Sequence, residues 1–105
     1  MNKIPVTVAL FLFSNISFAG VTTMGDRPCT KWNEGRKSPD APYALAQENW
    51  LAGFLSGYAT GIGSDFLASA SGPDLVQSIT RYCAANPTKG ISDGAKELAS
   101  TMKRR

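Results

Sequence analysis

From Asn49 to Gly61 the chain reads Asn-Trp-Leu-Ala-Gly-Phe-Leu-Ser-Gly-Tyr-Ala-Thr-Gly, and two superimposed spacings in this stretch restrict the fold more than any other feature. Leu51, Phe54, Leu55 and Tyr58 fall at i, i+3, i+4 and i+7, which places their side chains on one face of an α-helix. Gly53, Gly57 and Gly61 form a second stripe at four-residue steps. A glycine inside a helix costs about 1 kcal/mol relative to alanine. The stripe therefore needs a reason, and the expectation is that another helix, the Cys83 helix or the C-terminal one, packs closely against it. Trp50 lies on the glycine side, where its ring would fill the edge of the contact. The stretch reads as a scaffold helix and not as a catalytic loop.

The same reasoning extends the helix back to Pro42 or Tyr43 and forward through Thr60, because Ala44, Leu45, Ala46, Gln47 and Glu48 are good helix formers. Before it, a short helix is expected with Thr30 as its cap, stopped by Gly35 and by Ser38-Pro39-Asp40-Ala41-Pro42, whose two prolines require an extended connection. After it, Gly61-Ile62-Gly63-Ser64 ends the helix and Asp65-Phe66-Leu67-Ala68 adds a turn. Ser71-Gly72-Pro73-Asp74 then starts a new helix with a polar cap, a proline in the first turn and an acid near the positive end of the dipole. Its apolar face is Leu75, Val76, Ile79, Tyr82 and Cys83. Asn86-Pro87 closes that helix and is expected to open a last one, from Pro87 to about Lys103, with Ile91, Ala95, Leu98 and Met102 on one face. Apolar and polar residues never alternate long enough for a strand. The fold class is all-α, a small bundle of four to five helices.

The N-terminus has a different character. Met1-Asn2-Lys3 is followed by an uncharged apolar run from Ile4 to Ile16 and by the small residues Ser17 and Ala19 at the −3 and −1 positions of a cleavage site. This is the pattern of a secretory signal peptide, and the run is shorter than the roughly 20 apolar residues of a bilayer span. Residues 1–19 are read as the signal, cleaved between Ala19 and Gly20. Residues 20–105 form one helical domain, with 20–28 as a flexible N-terminal arm. Without residues 1–19, 86 of the 105 residues remain, with ten basic side chains against eight acidic ones.

That excess is too mild for a nucleic-acid protein, and no aromatic-interleaved basic stripe exists. The clearest basic cluster, Lys103-Arg104-Arg105, is a terminal tail. A domain of this size is marginally stable on its core alone. Cys29 and Cys83 lie beyond the cleavage site, in a chain directed to an oxidising compartment, so one disulfide is the simplest outcome, with reactive free thiols as the alternative. Closing so long a loop is worth on the order of 4 kcal/mol in the chain-entropy picture.

Histidine is absent, which removes the commonest general base and metal ligand. Asp93 and Glu97 share a helix face, but with Lys89 and Lys96 beside them they read as solvated helix surface. No catalytic, cofactor-binding or metal site is expected. The aromatic residues are better read as packing and contact groups. Trp50, Tyr58 and Tyr82 sit on faces expected to be buried, whereas Trp32 either shields the cysteines or faces a partner. Trp32, Arg36, Lys37 and Tyr43, on and around the first connection, are the candidate partner contacts.

Cys29, the run from Trp50 to Tyr58, Tyr82-Cys83-Ala84-Ala85-Asn86-Pro87 and the series Ile91, Ala95, Leu98 together resemble small exported helical proteins. These are the Rap/Tai-type immunity proteins of type VI secretion and the Hde-type periplasmic acid-stress chaperones. In size, export signal and general pattern the chain is also similar to Kik-type proteins of conjugative plasmid transfer regions. The first likeness implies a helix-linking disulfide between Cys29 and Cys83 and no catalytic residue. The expected function is that of a non-enzymatic periplasmic interaction protein, immunity- or chaperone-like, whose partner is another protein or a second copy of the chain. The alternative is a plasmid-transfer-associated host-killing or envelope-active factor, whose basic C-terminus would favour anionic membrane surfaces. Mass spectrometry of the exported form is expected to show a chain that begins at Gly20; a mass that retains Met1 would contradict the signal reading.

Overall fold

A computed structural model describes residues 21–103; the cleavage pair Ala19 and Gly20, the signal segment and the last two arginines lie outside the described residues. Four helices make up the domain: α1 (Cys29–Lys37), α2 (Ala41–Ile62), α3 (Gly72–Ala85) and α4 (Ile91–Lys103). There is no strand among the described residues, so the chain is all-α, as its spacing predicts. α1 packs on α2 and α3, and α4 packs on the same two, which closes a ring in which α2 and α3 stand diagonally opposite.

Local chemistry explains most of the element ends. Ser71 caps α3 by accepting the Asp74 amide at 3.2 Å, with Pro73 in the first turn and Asp74 at the positive end of the dipole. α2 ends at Gly63, whose φ of +66° is the left-handed conformation that glycine adopts without steric cost; Ser64 N–H donates back to Ala59 O at 3.1 Å. Asp65 to Ala68 form the expected turn, closed by Ala68 N–H on Asp65 O.

The core consists of Cys29, Trp32, Leu51, Leu55, Phe66, Ile79, Cys83, Ile91, Ala95 and Ala99, with Phe54, Tyr58, Leu75, Val76, Tyr82, Leu98 and Met102 packed around them. Cys29 and Cys83 are joined in a disulfide across 54 residues of sequence, and both are fully buried. Beside them Trp32 is also fully buried, and its Nε1–H donates to Thr80 Oγ1 at 3.1 Å. Asn33 Nδ2 donates to the Cys83 carbonyl at 3.2 Å. A covalent bond and two hydrogen bonds thus hold the short α1 against α3.

Three expectations are corrected. The last helix begins at Ile91 and not at Pro87. Asn86 does not cap it: its side chain turns back onto the Tyr82 carbonyl at 2.9 Å, its backbone N–H goes to the same atom, and Pro87 to Lys89 form a turn closed by Lys89 N–H on Asn86 O. α4 is capped instead from within, by Asp93 Oδ2 accepting Gly90 N–H at 2.9 Å, and from far away, by Asp26 accepting Ser92 N–H at 3.0 Å and Ser92 Oγ–H at 2.6 Å.

That second cap shows why residues 24–28 are not a flexible arm. Besides Asp26, Arg27 O accepts Ile91 N–H at 2.9 Å, Cys29 N–H donates to Lys89 O at 2.8 Å, and Trp50 Nε1–H donates to Met24 O at 2.8 Å. Pro28 and Gly90 form an isolated antiparallel bridge. The arm is a strap across the entry of α4 and the flank of α2.

The third correction concerns the glycines. A Cβ built on Gly53, Gly57 or Gly61 meets nothing within 4 Å, so among the described residues no helix approaches the stripe, and its glycines are exposed. Close approaches between helices occur instead at Gly35 and Gly94. A Cβ on Gly94 would stand 2.6 Å from the Tyr82 ring, and one on Gly35 would collide with the Gln47 amide. Gly94→Ala is therefore expected to lower stability by about 1–3 kcal/mol through overpacking, whereas Gly57→Ala is expected to raise it by about 0.5–1 kcal/mol; urea unfolding of the two variants measures both. Tyr82 gives a second test. Burial, followed by the carboxylates of Asp93 and Glu97, raises its phenol above the usual 10.0. The unfolded chain then releases this proton first, so the contribution of Tyr82 holds below pH about 10 and fades as the pH rises past it. Tyr82→Phe should flatten that alkaline loss in the unfolding midpoint.

Candidate functional site

The four candidate contacts on the first connection have different fates. Trp32 has no exposed surface to offer, and its indole serves the α1–α3 seam. Arg36 lies 4.2 Å above the Trp32 ring, a cation–π geometry. Its guanidinium donates to Glu48 Oε2 at 2.8 Å, to Gln47 Oε1 at 3.1 Å and to the Ala44 carbonyl at 3.3 Å. These bonds join α1 to the first turns of α2 across the Ser38–Asp40 connection. Arg36 is therefore a clasp. Lys37 is exposed at the end of α1, and Tyr43 is half-buried, its hydroxyl donating to Lys31 O at 3.4 Å.

Tyr43 leads to a cleft that sequence reasoning did not identify. The strap, α1, α2 and the first residue of α4 enclose a volume of about 240 Å³ lined by Gly25, Arg27, Lys31, Tyr43, Ala46, Gln47, Trp50 and Ile91. Each wall is held in place. Gln47 is buried, its Nε2 donating to Lys31 O at 2.7 Å while its Oε1 accepts from Arg36. Trp50 is fixed by its bond to Met24 O and by stacking on Phe54, centroids 5.2 Å apart. Gly25 makes the turn of the strap at φ +79°, and a Cβ there would meet the Trp50 ring at 2.7 Å. Position 25 thus needs glycine both for its backbone and for the closeness of the indole.

Among the described residues, Arg27 and Lys31 are the charged side chains of the lining, and no carboxylate is among it. Lys31 pairs with Glu34 at 3.4 Å, and both groups are largely solvated, at 42% and 59% exposure. Such a pair contributes roughly 0–1 kcal/mol and is screened by salt. The nearest acid along the strap, Asp26, is occupied by Ser92. The cleft thus joins aromatic and aliphatic walls to two cations.

A second, larger groove of about 620 Å³ runs between the diagonal helices α2 and α3, lined mainly by apolar groups such as Leu45, Ala52, Pro73 and Val76, with Leu45 55% exposed. Among the described residues no group of three or more Cys, Asp and Glu side chains is placed to hold a metal ion, and no helix is long and apolar enough to cross a membrane. Comparison with protein-family models, with curated proteins and with solved structures finds no match to the chain.

The clasp yields a direct test. Arg36→Ala removes the cation–π contact, the ion pair and two hydrogen bonds, and is expected to cost about 1–3 kcal/mol in chemical denaturation; Lys37→Ala, one residue on and exposed, is expected to stay within about 0.5 kcal/mol of the parent.

Proposed function

We propose that this chain is a non-enzymatic, exported interaction protein that binds a protein partner in the periplasm, in the manner of an immunity protein or a chaperone. The observation that carries this reading is the rigid cleft beside Tyr43 and Trp50, in which Tyr, Trp and Arg converge; these are the side chains that dominate protein-binding hot spots. Export is supported by the buried Cys29–Cys83 bond, which is of the kind that persists in oxidising compartments, and by the apolar run at the N-terminus. The absence of catalysis is supported by the lack of histidine and by the engagement of the carboxylates of Asp26, Glu48 and Asp93 in structural bonds.

The test is site-specific photo-crosslinking in cells that export the protein, with the photoreactive residue at Lys37 or Tyr43. A discrete heavier adduct, absent when the probe is placed at Lys103, is the expected result. Recovery of the monomer alone, at neutral and at acidic pH, contradicts the proposal.

A further inference from the structure

We infer that the cleft between the strap and α2 receives a single apolar side chain of a partner segment flanked by carboxylates, with Arg27 and Lys31 taking the acidic groups. The inference rests on the protein-binding reading above and specifies the chemistry of the partner. Size is the first argument. About 240 Å³ lies below the roughly 300–1,000 Å³ of pockets that enclose a drug-sized ligand. It suits one aromatic or branched aliphatic group inserted between the Trp50 ring and Ile91.

Charge is the second argument. Among the described residues Arg27, exposed on the strap, makes no side-chain ion pair or hydrogen bond, and the side chain of Lys31 makes the solvated contact with Glu34. Two nearby acids are bonded elsewhere and do not pair with these cations: Asp26 accepts from Ser92, and Asp93 from the Gly90 amide. The lining thus sets two cations beside an apolar slot. A neutral or basic segment gains nothing from these cations, whereas an acidic one complements Arg27 and can replace the solvated Glu34 contact of Lys31.

Preorganisation is the third. The bonds that fix Gln47, Trp50 and the strap are already made in the free protein, so an incoming side chain does not have to order the walls. The exposed Met24 and the smooth surface of Gly53 continue the apolar surface past Trp50 and allow an extended segment to lie across the helix.

The test uses three blocked tripeptides, acetyl-Glu-Phe-Glu-amide, acetyl-Lys-Phe-Lys-amide and acetyl-Glu-Ala-Glu-amide, titrated into the oxidised, isotope-labelled domain and followed by NMR. The chain has two tryptophans, so the Trp50 and Trp32 indole N–H signals report the cleft and the core separately. The acidic phenylalanine peptide is expected to shift the Gly25 amide and the Trp50 indole saturably and to leave the Trp32 indole in place. Each of the other two peptides should bind at least about fivefold more weakly, and raising the salt from about 50 to about 500 mM should weaken the first peptide severalfold. The double variant Arg27→Gln, Lys31→Gln should lose about fivefold or more in affinity with an unchanged melting temperature. Equal binding of the lysine peptide, no loss in the double variant, or no saturable shift at all overturns the inference. If the double variant still forms the cellular cross-link in full yield while the peptides are ignored, the cleft assignment fails and the protein-binding reading stands. If neither peptide binding nor a cross-link is found, both fall.

Discussion

The covalent link between Cys29 and Cys83 is where the architecture begins, because α1 is too short to hold its own place. It has nine residues, is capped by no side chain, and buries three residues, Cys29, Trp32 and Gly35. A helix of that length is unstable alone, and most of what stabilises it must come from tertiary contact. The disulfide removes chain entropy from the unfolded state, by about 4 kcal/mol for a loop of this length in the entropic account, and it seats Trp32 where the indole can reach Thr80. Once α1 is fixed, two things follow from its two ends. At its N-terminus, Cys29 N–H and Arg27 O pair with Lys89 and Ile91, which lays the strap over the start of α4. At its C-terminus, Arg36 fastens the beginning of α2.

The long helix α2 therefore has an asymmetric environment. One face carries Leu51 and Leu55 into the core, a flank carries the aromatic series Trp50, Phe54 and Tyr58 with Phe66 in edge contact at its end, and the remaining face is the row of Gly53, Gly57 and Gly61 in solvent. The strap is hydrogen-bonded to α2 at Trp50. The cleft exists because the strap bends away at Gly25 before Asp26 anchors it to Ser92, leaving Arg27 and Lys31 facing the side of α2 with a space between. Its walls are consequences of bonds made for other reasons.

What was legible in the sequence was what is local. The apolar faces of α2, α3 and α4, the Ser71-Gly72-Pro73-Asp74 start and the stop at Gly63 each have a cause within a few residues, and all appear where spacing and capping chemistry place them. Cys83 also reads as buried from its place on the α3 face. Thr30, expected as a cap, and Gly35, expected as a stop, both lie inside α1; the other failures share one cause, contact between residues distant in sequence. Nothing around Asp26 signals that it caps a helix 66 residues later. Pro87 has the local chemistry of a helix start, but Pro87 to Lys89 close a turn, and the pairing of Arg27 and Pro28 with Ile91 and Gly90 sets the helix start at Ile91. Glycines show permission for close approach and not its use, so the regular stripe on α2 misled, while the isolated Gly35 and Gly94 carry the actual contacts. Trp32 and Arg36 had the composition of a contact surface, and the stacking of one on the other turned both inward. Tyr43 alone of the four candidates lines the cleft.

The central claim is that the Cys29–Cys83 bond holds α1, and through α1 the strap and the cleft. Native-state hydrogen exchange of the oxidised and the reduced protein tests it most directly, read at the Ile91 and Ser92 amides and at the Trp50 indole, whose hydrogen bonds go to Arg27, Asp26 and Met24 and not to a cysteine. The account predicts that reduction lowers the protection of all three, with a fall in global stability of about 4 kcal/mol. Undiminished protection of Ile91, Ser92 and Trp50 in a fully reduced protein would contradict it.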